Sequence, residues 1–341
     1  MKPDVAVTDD LGGAGLPAAS TGAPAATSWR HHGLGFSSPL ALGRPAPAGT
    51  DPDVHVRVGA ARAVPDDVPG PLVAQLVYPQ APGYAVYAVE GGHVFRFPGL
   101  CDFELSADGD LVTCLPGPEC SDGLLQVLLA GAVTALLHTL RGRAVLHASA
   151  VELDGVTVAV TGRSGAGKST VAAMLCSAGA RLVADDVLAL ERDAERAWST
   201  GLTHEVRLRP RATTVTELFS PPLPEPRGTA DGRLAIAPPQ ASSEENPVSV
   251  VLLPRPAPGT TTVSLETVDP VAAFVRLAAN ARIPGLVPSP LARAYFETAS
   301  LLAATTPVAL AHVPLGPPFT ASTAEALLEQ AVALAREGPR P

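Results

Sequence analysis

Lysine is nearly missing from this chain of 341 residues, since all but two of its 24 basic residues are arginines. The two lysines are Lys2 and Lys168. Acidic residues number 33, the formal net charge is −9, and the basic residues are scattered, so a nucleic-acid partner is not expected. Arg and Lys are not interchangeable where a slim ammonium group must reach between phosphates, so Lys168 stands out.

Cysteine is also scarce, and its spacing shows neither a C-x-x-C pair nor a disulfide framework, which excludes the common zinc and disulfide-rich classes. The four are Cys101, Cys114, Cys120 and Cys176. A signal-peptide pattern is missing from the first residues, so we expect reduced thiols and a cytoplasmic location. The most apolar run, 124–140, falls at the short edge for a membrane span and contains polar residues. We therefore expect a buried core helix and no membrane partner.

Composition divides the chain into three parts. Residues 1–50 are rich in Ala, Pro, Gly and Ser, and are predicted to form a flexible arm. Short alternating runs separated by glycines predict a small β-rich domain over 51–120. Residues 121–341 alternate strand-like and helix-like runs, which predicts an α/β domain. Its last helices are expected at roughly 268–281, 290–304 and 322–336.

The strongest motif is GRSGAGKST, which satisfies the pattern G-x-x-x-x-G-K-[ST] between a predicted strand and a predicted helix. Small residues let backbone N–H groups turn toward phosphates, and the positive end of the helix points at them. Lys168 is expected to reach the β- and γ-phosphates, and Ser169 to offer its hydroxyl to Mg²⁺. The predicted ATP-binding residues are Gly162, Arg163, Ser164, Gly165, Ala166, Gly167, Lys168, Ser169 and Thr170.

Two aspartates, Asp185 and Asp186, follow soon after this loop in LVADD. We expect their strand to lie beside the strand that precedes the loop and to carry the carboxylates to the phosphate end of the sheet. Adjacent side chains on a strand point to opposite faces, so one carboxylate is expected to face the acceptor and the other the metal. A solvated strand end is the simpler alternative. His147, on the preceding strand, is either a core histidine or part of the same site.

Taken together, LHASAVELDGVTVAVTGRSGAGKST and GARLVADD resemble the catalytic core of the HPr kinase/phosphorylase family, most closely its smaller peptide-modifying relatives. The resemblance covers about 143–190 and implies an α/β fold with an HPr kinase/phosphoenolpyruvate carboxykinase-type P-loop core, here behind an N-terminal β-rich domain. It implies that Asp185 is the general base, that His147 supports it, and that Asp186 is oriented toward the metal. A weaker match of HEVRLR to the family's Glu-x-Arg strand makes Glu205 a further metal ligand.

The resemblance implies ATP and Mg²⁺ as cofactors and a serine hydroxyl of a peptide or small protein as phosphate acceptor. It also suggests a homo-oligomer, which the residues themselves do not require. A small-molecule hydroxyl kinase and a non-catalytic ATP-binding regulator remain open alternatives. Arg227 and Arg233 lie in a polar loop that either clamps a substrate anion or is simply solvated.

Overall fold

The computed structural model describes residues 26–77, 83–287 and 289–338 and has a mixed α/β architecture, as the sequence predicts. The first nine strands are β1 Thr27–His31, β2 Leu34–Ser38, β3 Arg44–Pro45, β4 Val54–Val58, β5 Leu72–Leu76, β6 Tyr84–Val89, β7 Gly92–Phe97, β8 Cys101–Ser106 and β9 Leu111–Pro116. The remaining strands are β10 Ala144–Leu146, β11 Ala148–Leu153, β12 Val156–Thr161, β13 Arg181–Ala184, β14 Leu188–Arg192, β15 Ala197–Thr200, β16 Val206–Leu208, β17 Arg227–Gly228, β18 Leu234–Ile236, β19 Glu245–Ala257, β20 Ser264–Thr267 and β21 Val308–Pro314.

Six α-helices accompany these strands. They are α1 Asp122–Leu128, α2 Thr134–Leu140, α3 Lys168–Ser177, α4 Pro270–Ala278, α5 Pro290–Thr305 and α6 Ala321–Glu337. A π-helical turn, Leu129–Val133, joins α1 to α2, and a 3₁₀ helix covers Pro210–Leu218. The three C-terminal helices lie where the sequence predicts them.

The N-terminal strands form one sheet in the order β3-β1-β2-β4-β9-β8-β7-β6-β5. Its core is aromatic, and the buried rings are Phe36, Tyr84, Phe95, Phe97 and Phe103. Arg96 and Asp102 face each other across β7 and β8 and form a buried two-pronged ion pair with both N···O distances at 2.9 Å. This pair satisfies two charges that would otherwise be buried alone.

The apolar run 122–140 forms α1, the π turn and α2, with the Ser121 hydroxyl capping the first turn by accepting from the Leu124 amide. It is long and apolar enough to cross a membrane, yet 61% of the span is buried inside the protein. Its buried leucines belong to the same core as the aromatic rings of the N-terminal sheet. The helix therefore packs against that sheet, although the sequence analysis assigned it to the domain beginning at 121.

The second large sheet has the order β10-β14-β15-β19-β12-β11-β13, with β21 added beside β19 and β20 beside β21. Strands β12, β19 and β21 run parallel. Helices α3 and α6 pack on one face and α4 and α5 on the other. Both faces are covered, so consecutive residues of β12 are buried, and the sequence shows a continuous apolar run there.

Three expectations need correction. Residues 27–45 of the predicted flexible arm form β1 to β3, because Leu34, Phe36, Leu40 and Leu42 pack into the aromatic core; residues 1–25 lie outside the described ranges. The segment RLVADDVLALE is two strands rather than one, because Asp186 has a left-handed φ of +70° that ends pairing. Strand β13 pairs with β11 instead of β12, so one strand separates the aspartates from the strand that enters the glycine loop.

Candidate active site

A tight hairpin positions the glycine loop. Strands β11 and β12 pair in antiparallel register from Ala148 to Thr161, and Asp154 and Gly155 form their turn with φ of +50° and +79°. Positive φ at both central residues is the geometry that Asp-Gly favours in two-residue hairpins. The Glu152 carboxylate accepts from the Gly155 amide at 2.6 Å. The chain then leaves β12 directly into the loop.

The loop itself has the geometry of an anion cradle. Gly162, Gly165 and Gly167 all have φ in the left-handed half of the map, at +144°, +84° and +95°. These backbone angles are accessible to glycine with little strain. Helix α3 starts at Lys168, so its free N–H groups and positive dipole end point into the loop. These features fit a polyphosphate.

Lys168 folds over the loop. Its Nζ donates to the carbonyl oxygens of Gly162 and Arg163 at 2.9 and 3.3 Å, and burial lowers its pKa below the ordinary lysine value. The nearby aspartates oppose that shift. The ammonium group is therefore held at the glycine loop by two carbonyl contacts.

Asp185 joins the loop to the hairpin. Its Oδ1 accepts hydrogen bonds from the hydroxyls of Ser149 at 2.7 Å and Ser169 at 2.8 Å, while Oδ2 accepts from the Arg207 amide at 3.0 Å. The residue is 5% exposed, and burial raises the pKa of its carboxyl despite these hydrogen bonds. A buried carboxyl with a raised pKa is a better proton acceptor at neutral pH than an ordinary aspartate.

Asp186 lies in a different environment. Its Oδ2 accepts from Arg207 at 3.1 Å and from Arg282 at 2.8 Å, and its Oδ1 is 3.3 Å from His147 Nε2. The two guanidinium groups hold the pKa of this carboxyl far below its usual range, against the opposing effect of burial. Burial lowers the pKa of His147 to about 4, so the imidazole is neutral at pH 7. Asp186 is therefore a fixed negative charge.

His147 lies beside Asp186 rather than beside Asp185, where the resemblance would place it. The reason is the left-handed conformation of Asp186, which turns its carboxylate out of the alternation expected of a strand. Both carboxylates consequently face the same region. The prediction that neighbouring aspartates would point to opposite faces is wrong here.

The predicted metal ligands are not gathered into one cage. Ser169 contacts Asp185, and Glu205 instead forms an ion pair with Arg227 at 2.8 Å. Among the described residues, no group of three His, Cys, Asp or Glu side chains is close enough to hold a metal ion. The oxygens of Ser169 and the two aspartates do suit a hard cation such as Mg²⁺, provided that phosphate oxygens complete its shell.

A cleft of about 1100 Å³, part of it open to solvent, runs along the loop. Its polar end is formed by residues 164–170, His147, Asp186 and several arginines. Arg209 and Arg211 make no ion pair with any described residue, so they are free to contact anions. The apolar end consists of Met174, Ala212, Pro256, Val313, Leu315 and Phe319. A charged end joined to an apolar end matches a nucleotide, whose base is flat and whose phosphates are anionic.

Sequence reasoning missed several residues of this site. Ser149 lies two residues after His147, which occupies the bend between β10 and β11 rather than a strand, so the alternation of a single strand does not link the two side chains. Arg282 comes from the segment after α4 and shows no local signal. Only the fold brings it to Asp186.

The middle of the chain matches a known family. Residues 138–207 match the HPr Serine kinase C-terminal domain, a family of ATP-dependent serine kinases. An HPr kinase/phosphorylase of Chloroherpeton thalassium is 46% identical over 61 residues, which span 18% of this chain and 18% of that relative. This segment is therefore HPr kinase-like, while the chain spans less than a fifth of the relative's length in that match.

A solved structure shows a weaker likeness. The HPr(Ser) kinase/phosphatase from Coxiella burnetii aligns with a TM-score of 0.28 and 15% identity, over 57% of this chain and 96% of that one. The family assignment of the segment consequently rests on the sequence matches.

Proposed function

From the HPr kinase-like segment and the geometry around it, we propose that the protein is an ATP-dependent kinase that phosphorylates a serine hydroxyl of a peptide or small protein. The observation that carries the proposal is the pair Asp185–Ser169, in which a carboxylate of raised pKa touches the hydroxyl that follows the loop lysine. We assign the fold to the HPr kinase/phosphoenolpyruvate carboxykinase type, with the N-terminal sheet as an added β-rich domain.

In this proposal, the loop amides and Lys168 bind the β- and γ-phosphates of ATP, and the free arginines at the charged end of the cleft neutralise their charge. The apolar end of the cleft covers the base. Mg²⁺, held by Ser169 and Asp186 together with the phosphates, would neutralise charge developing on the leaving oxygen. The loop glycines already have the positive φ angles of an anion cradle, which pre-organises the loop for phosphates.

The proposed transfer step involves ATP, the acceptor hydroxyl and the two aspartates. The acceptor oxygen forms a bond to the γ-phosphorus as the bond from that phosphorus to the bridging oxygen breaks, and ADP leaves with the electron pair. We propose that the hydroxyl proton passes to Asp185. Asp186, kept ionised by Arg207 and Arg282, orients the acceptor hydroxyl and stays unprotonated. Most of the acceleration comes from positioning and electrostatics.

Both alternatives from the sequence remain distinguishable from this proposal. A small-molecule kinase would use the same step with another acceptor. A nucleotide-binding regulator would bind ATP without transferring its phosphate. Its function would not require Asp185 as a proton acceptor, so the raised pKa of that carboxyl would have no role.

The test is incubation of the protein with Mg²⁺ and γ-labelled ATP together with serine-containing peptides, with the product located by mass spectrometry. We expect labelled serine with wild-type protein and with Asp108→Asn, which changes an exposed surface aspartate. Asp185→Asn should keep ATP binding and lose at least about 100-fold in transfer. Equal transfer by Asp185→Asn would remove the proposed base, and ATP binding without any transfer would favour the regulator.

A further inference from the structure

A second cavity, of about 680 Å³ and partly open to solvent, lies on the other side of the aspartates. Asp186 and Arg207 line both this cavity and the nucleotide cleft, so the two meet at that ion pair. Asp185, the proposed base, lines only the second cavity among these two. An acceptor hydroxyl must reach the base that takes its proton. An acceptor in the second cavity would meet Asp185 there, which the nucleotide cleft does not expose.

The walls of this cavity come mostly from outside the HPr kinase-like segment. His31 ends β1 and His32 follows it in the turn to β2, Gln126 belongs to α1, and Gly228 and Thr229 belong to the region around β17. The N-terminal sheet therefore builds part of the site. Its turn docks closely, since the His32 amide donates to the Leu202 carbonyl at 3.0 Å.

The second cavity and the nucleotide cleft differ in whether their arginines are paired with carboxylates. Arginines of the second cavity are already paired: Arg227 with Glu205 at 2.8 Å, and Arg207 with Asp186 at 3.1 Å and Asp231 at 3.3 Å. The nucleotide cleft, in contrast, offers the unpaired Arg209 and Arg211. A strongly anionic acceptor such as a phosphorylated sugar would gain little from paired arginines and would be repelled by the aspartates. The second cavity suits an acceptor without net negative charge.

Shape and hydrogen bonding favour a polypeptide. Gly123, Ala130, Gly228 and Ala230 form small-residue walls that allow a main chain to approach closely. Strand β17 is the terminal strand of the sheet β16-β18-β17, so one of its edges has no neighbouring strand among the described residues. An edge strand offers backbone N–H and C=O groups to an added strand.

Unused side-chain groups point the same way. The Gln126 amide makes no hydrogen bond with any described residue. His31 is 6% exposed, and its Nε2 must donate to the Ala130 carbonyl at 3.0 Å, which leaves Nδ1 as an acceptor with no partner in the described ranges. A peptide in the cavity can supply a donor and an acceptor to the Gln126 amide, while His31 contributes a wall of the cavity.

We propose that this cavity is the acceptor site and that it binds an uncharged, extended peptide segment along the edge of β17, with its serine directed at Asp185. This inference rests on the proposed kinase function and adds the binding mode and the residues that select the acceptor. Gln126 and His31 are assigned as specificity residues rather than catalytic ones.

The experiment measures transfer from γ-labelled ATP to a library of peptides that carry a central serine between randomised positions, alongside ATP affinity by calorimetry. Gly228→Trp is the main variant, because a Cβ at Gly228 meets no atom within 4 Å and the added ring would fill the cavity. We expect its transfer to fall at least about tenfold while ATP affinity stays within about twofold. The matched control, Glu225→Trp, changes an exposed residue outside the cavity and should behave as wild type.

Two further measurements test the acceptor site even if the Gly228→Trp variant does not fold. Gln126→Ala should raise KM for the peptides with kcat nearly unchanged. Peptides N-methylated next to the serine should be poor acceptors for the wild-type protein, since methylation removes the donor that pairs with a strand edge.

Full transfer by Gly228→Trp, or equal use of the N-methylated peptides, would overturn the acceptor site while leaving the kinase function standing. Equally efficient labelling of free serine would assign the cavity to a small molecule. ATP binding with no transfer by the wild-type protein would overturn the kinase function itself, and the acceptor site with it.

Discussion

The N-terminal sheet and the nucleotide-binding sheet are filled in different ways. The first packs aromatic rings, including Phe95 and Phe103, against one helix, whereas the second buries valine, leucine and alanine between two pairs of helices. In β12 the consecutive residues Val158, Ala159 and Val160 are all fully buried. A strand covered on both faces has room for polar groups mainly at its ends, which is where the glycine loop lies.

The comparison shows why function is visible in one region and hidden in the other. In the nucleotide-binding sheet, the polar residues of the motif come at the point where an apolar run stops. In the N-terminal sheet, polar residues alternate along the strands, and the ones that reach the site, His31 and His32, look like any others in the sequence. Their role appears only once the sheet is docked.

The largest predicted loss of phosphoryl transfer is at Lys168, in the nucleotide-binding region. Replacement Lys168→Ala should reduce phosphoryl transfer by about 10²–10³-fold, because one pre-organised charge on a developing anion is lost. Thermal unfolding should change much less, since the ammonium contacts only two loop carbonyls. Steady-state transfer kinetics with a parallel melting curve check this. Lys168→Arg is the comparator, and its recovery of full activity would contradict the requirement for a slim ammonium group.

The next effect concerns acid stability, which should be lost first in the N-terminal region. Burial lowers the pKa of His31 to about 4 and of His138 to about 3. The unfolded chain, with ordinary histidines near pH 6.5, then binds more protons than the folded chain below that pH. The free energy of unfolding should therefore fall as pH drops from about 6.5 toward 4, by up to about 1.4 kcal/mol per pH unit for each histidine.

Urea unfolding followed through single tryptophans measures this, because Trp29 lies in β1 and Trp198 in β15. With Trp198→Phe, the Trp29 signal should report the N-terminal sheet. His138→Asn should flatten the pH dependence, because it removes a buried group whose pKa is lowered in the folded chain. Coincident loss of both tryptophan signals at every pH would show that the two regions unfold as one.

A smaller effect tests the contact between the regions. Gly131 lies in the π turn, where an added Cβ would come within 3.0 Å of Asp186 Oδ2 and 3.2 Å of Arg282 Nη2. Gly131→Ala should displace this ion-pair cluster and reduce transfer about tenfold, since small misplacements of charged groups are costly to rate. Glu325→Ala, at an exposed position of α6 that lines neither cavity, is the control. Unchanged transfer by Gly131→Ala would mean that the cluster tolerates the shift.

The smallest effect is a shift in pH dependence. Transfer requires ionised Asp185, so the acid limb of kcat/KM should lie above the pH expected for an ordinary aspartate. Ser149 stabilises the ionised form by a hydrogen bond. Ser149→Ala should therefore raise the pKa of Asp185 and move the acid limb to higher pH, by less than about one unit. A downward shift in a pH–rate profile would exclude Asp185 as the group that titrates.

Local patterns predicted the loop, a core helix over the apolar run 124–140 and the C-terminal helices, because each depends on residues near one another in sequence. The partners of the aspartates could not be predicted in this way. The left-handed turn at Asp186 contradicts the strand pattern around it, and it is compensated by Arg207 and Arg282, which come from later segments. Strands β1 to β3 were hidden because their composition resembles that of a flexible arm.

Arg282 also sets the order in which the site can mature during synthesis. The glycine loop and both aspartates leave the ribosome well before this arginine, which follows α4. Until then, Asp186 has only one of its two guanidinium partners, and its turn is stabilised incompletely. A nascent chain can therefore form the phosphate-binding loop before its carboxylate cluster is complete, and the apolar end of the cleft, with Val313, Leu315 and Phe319, is added only after Arg282.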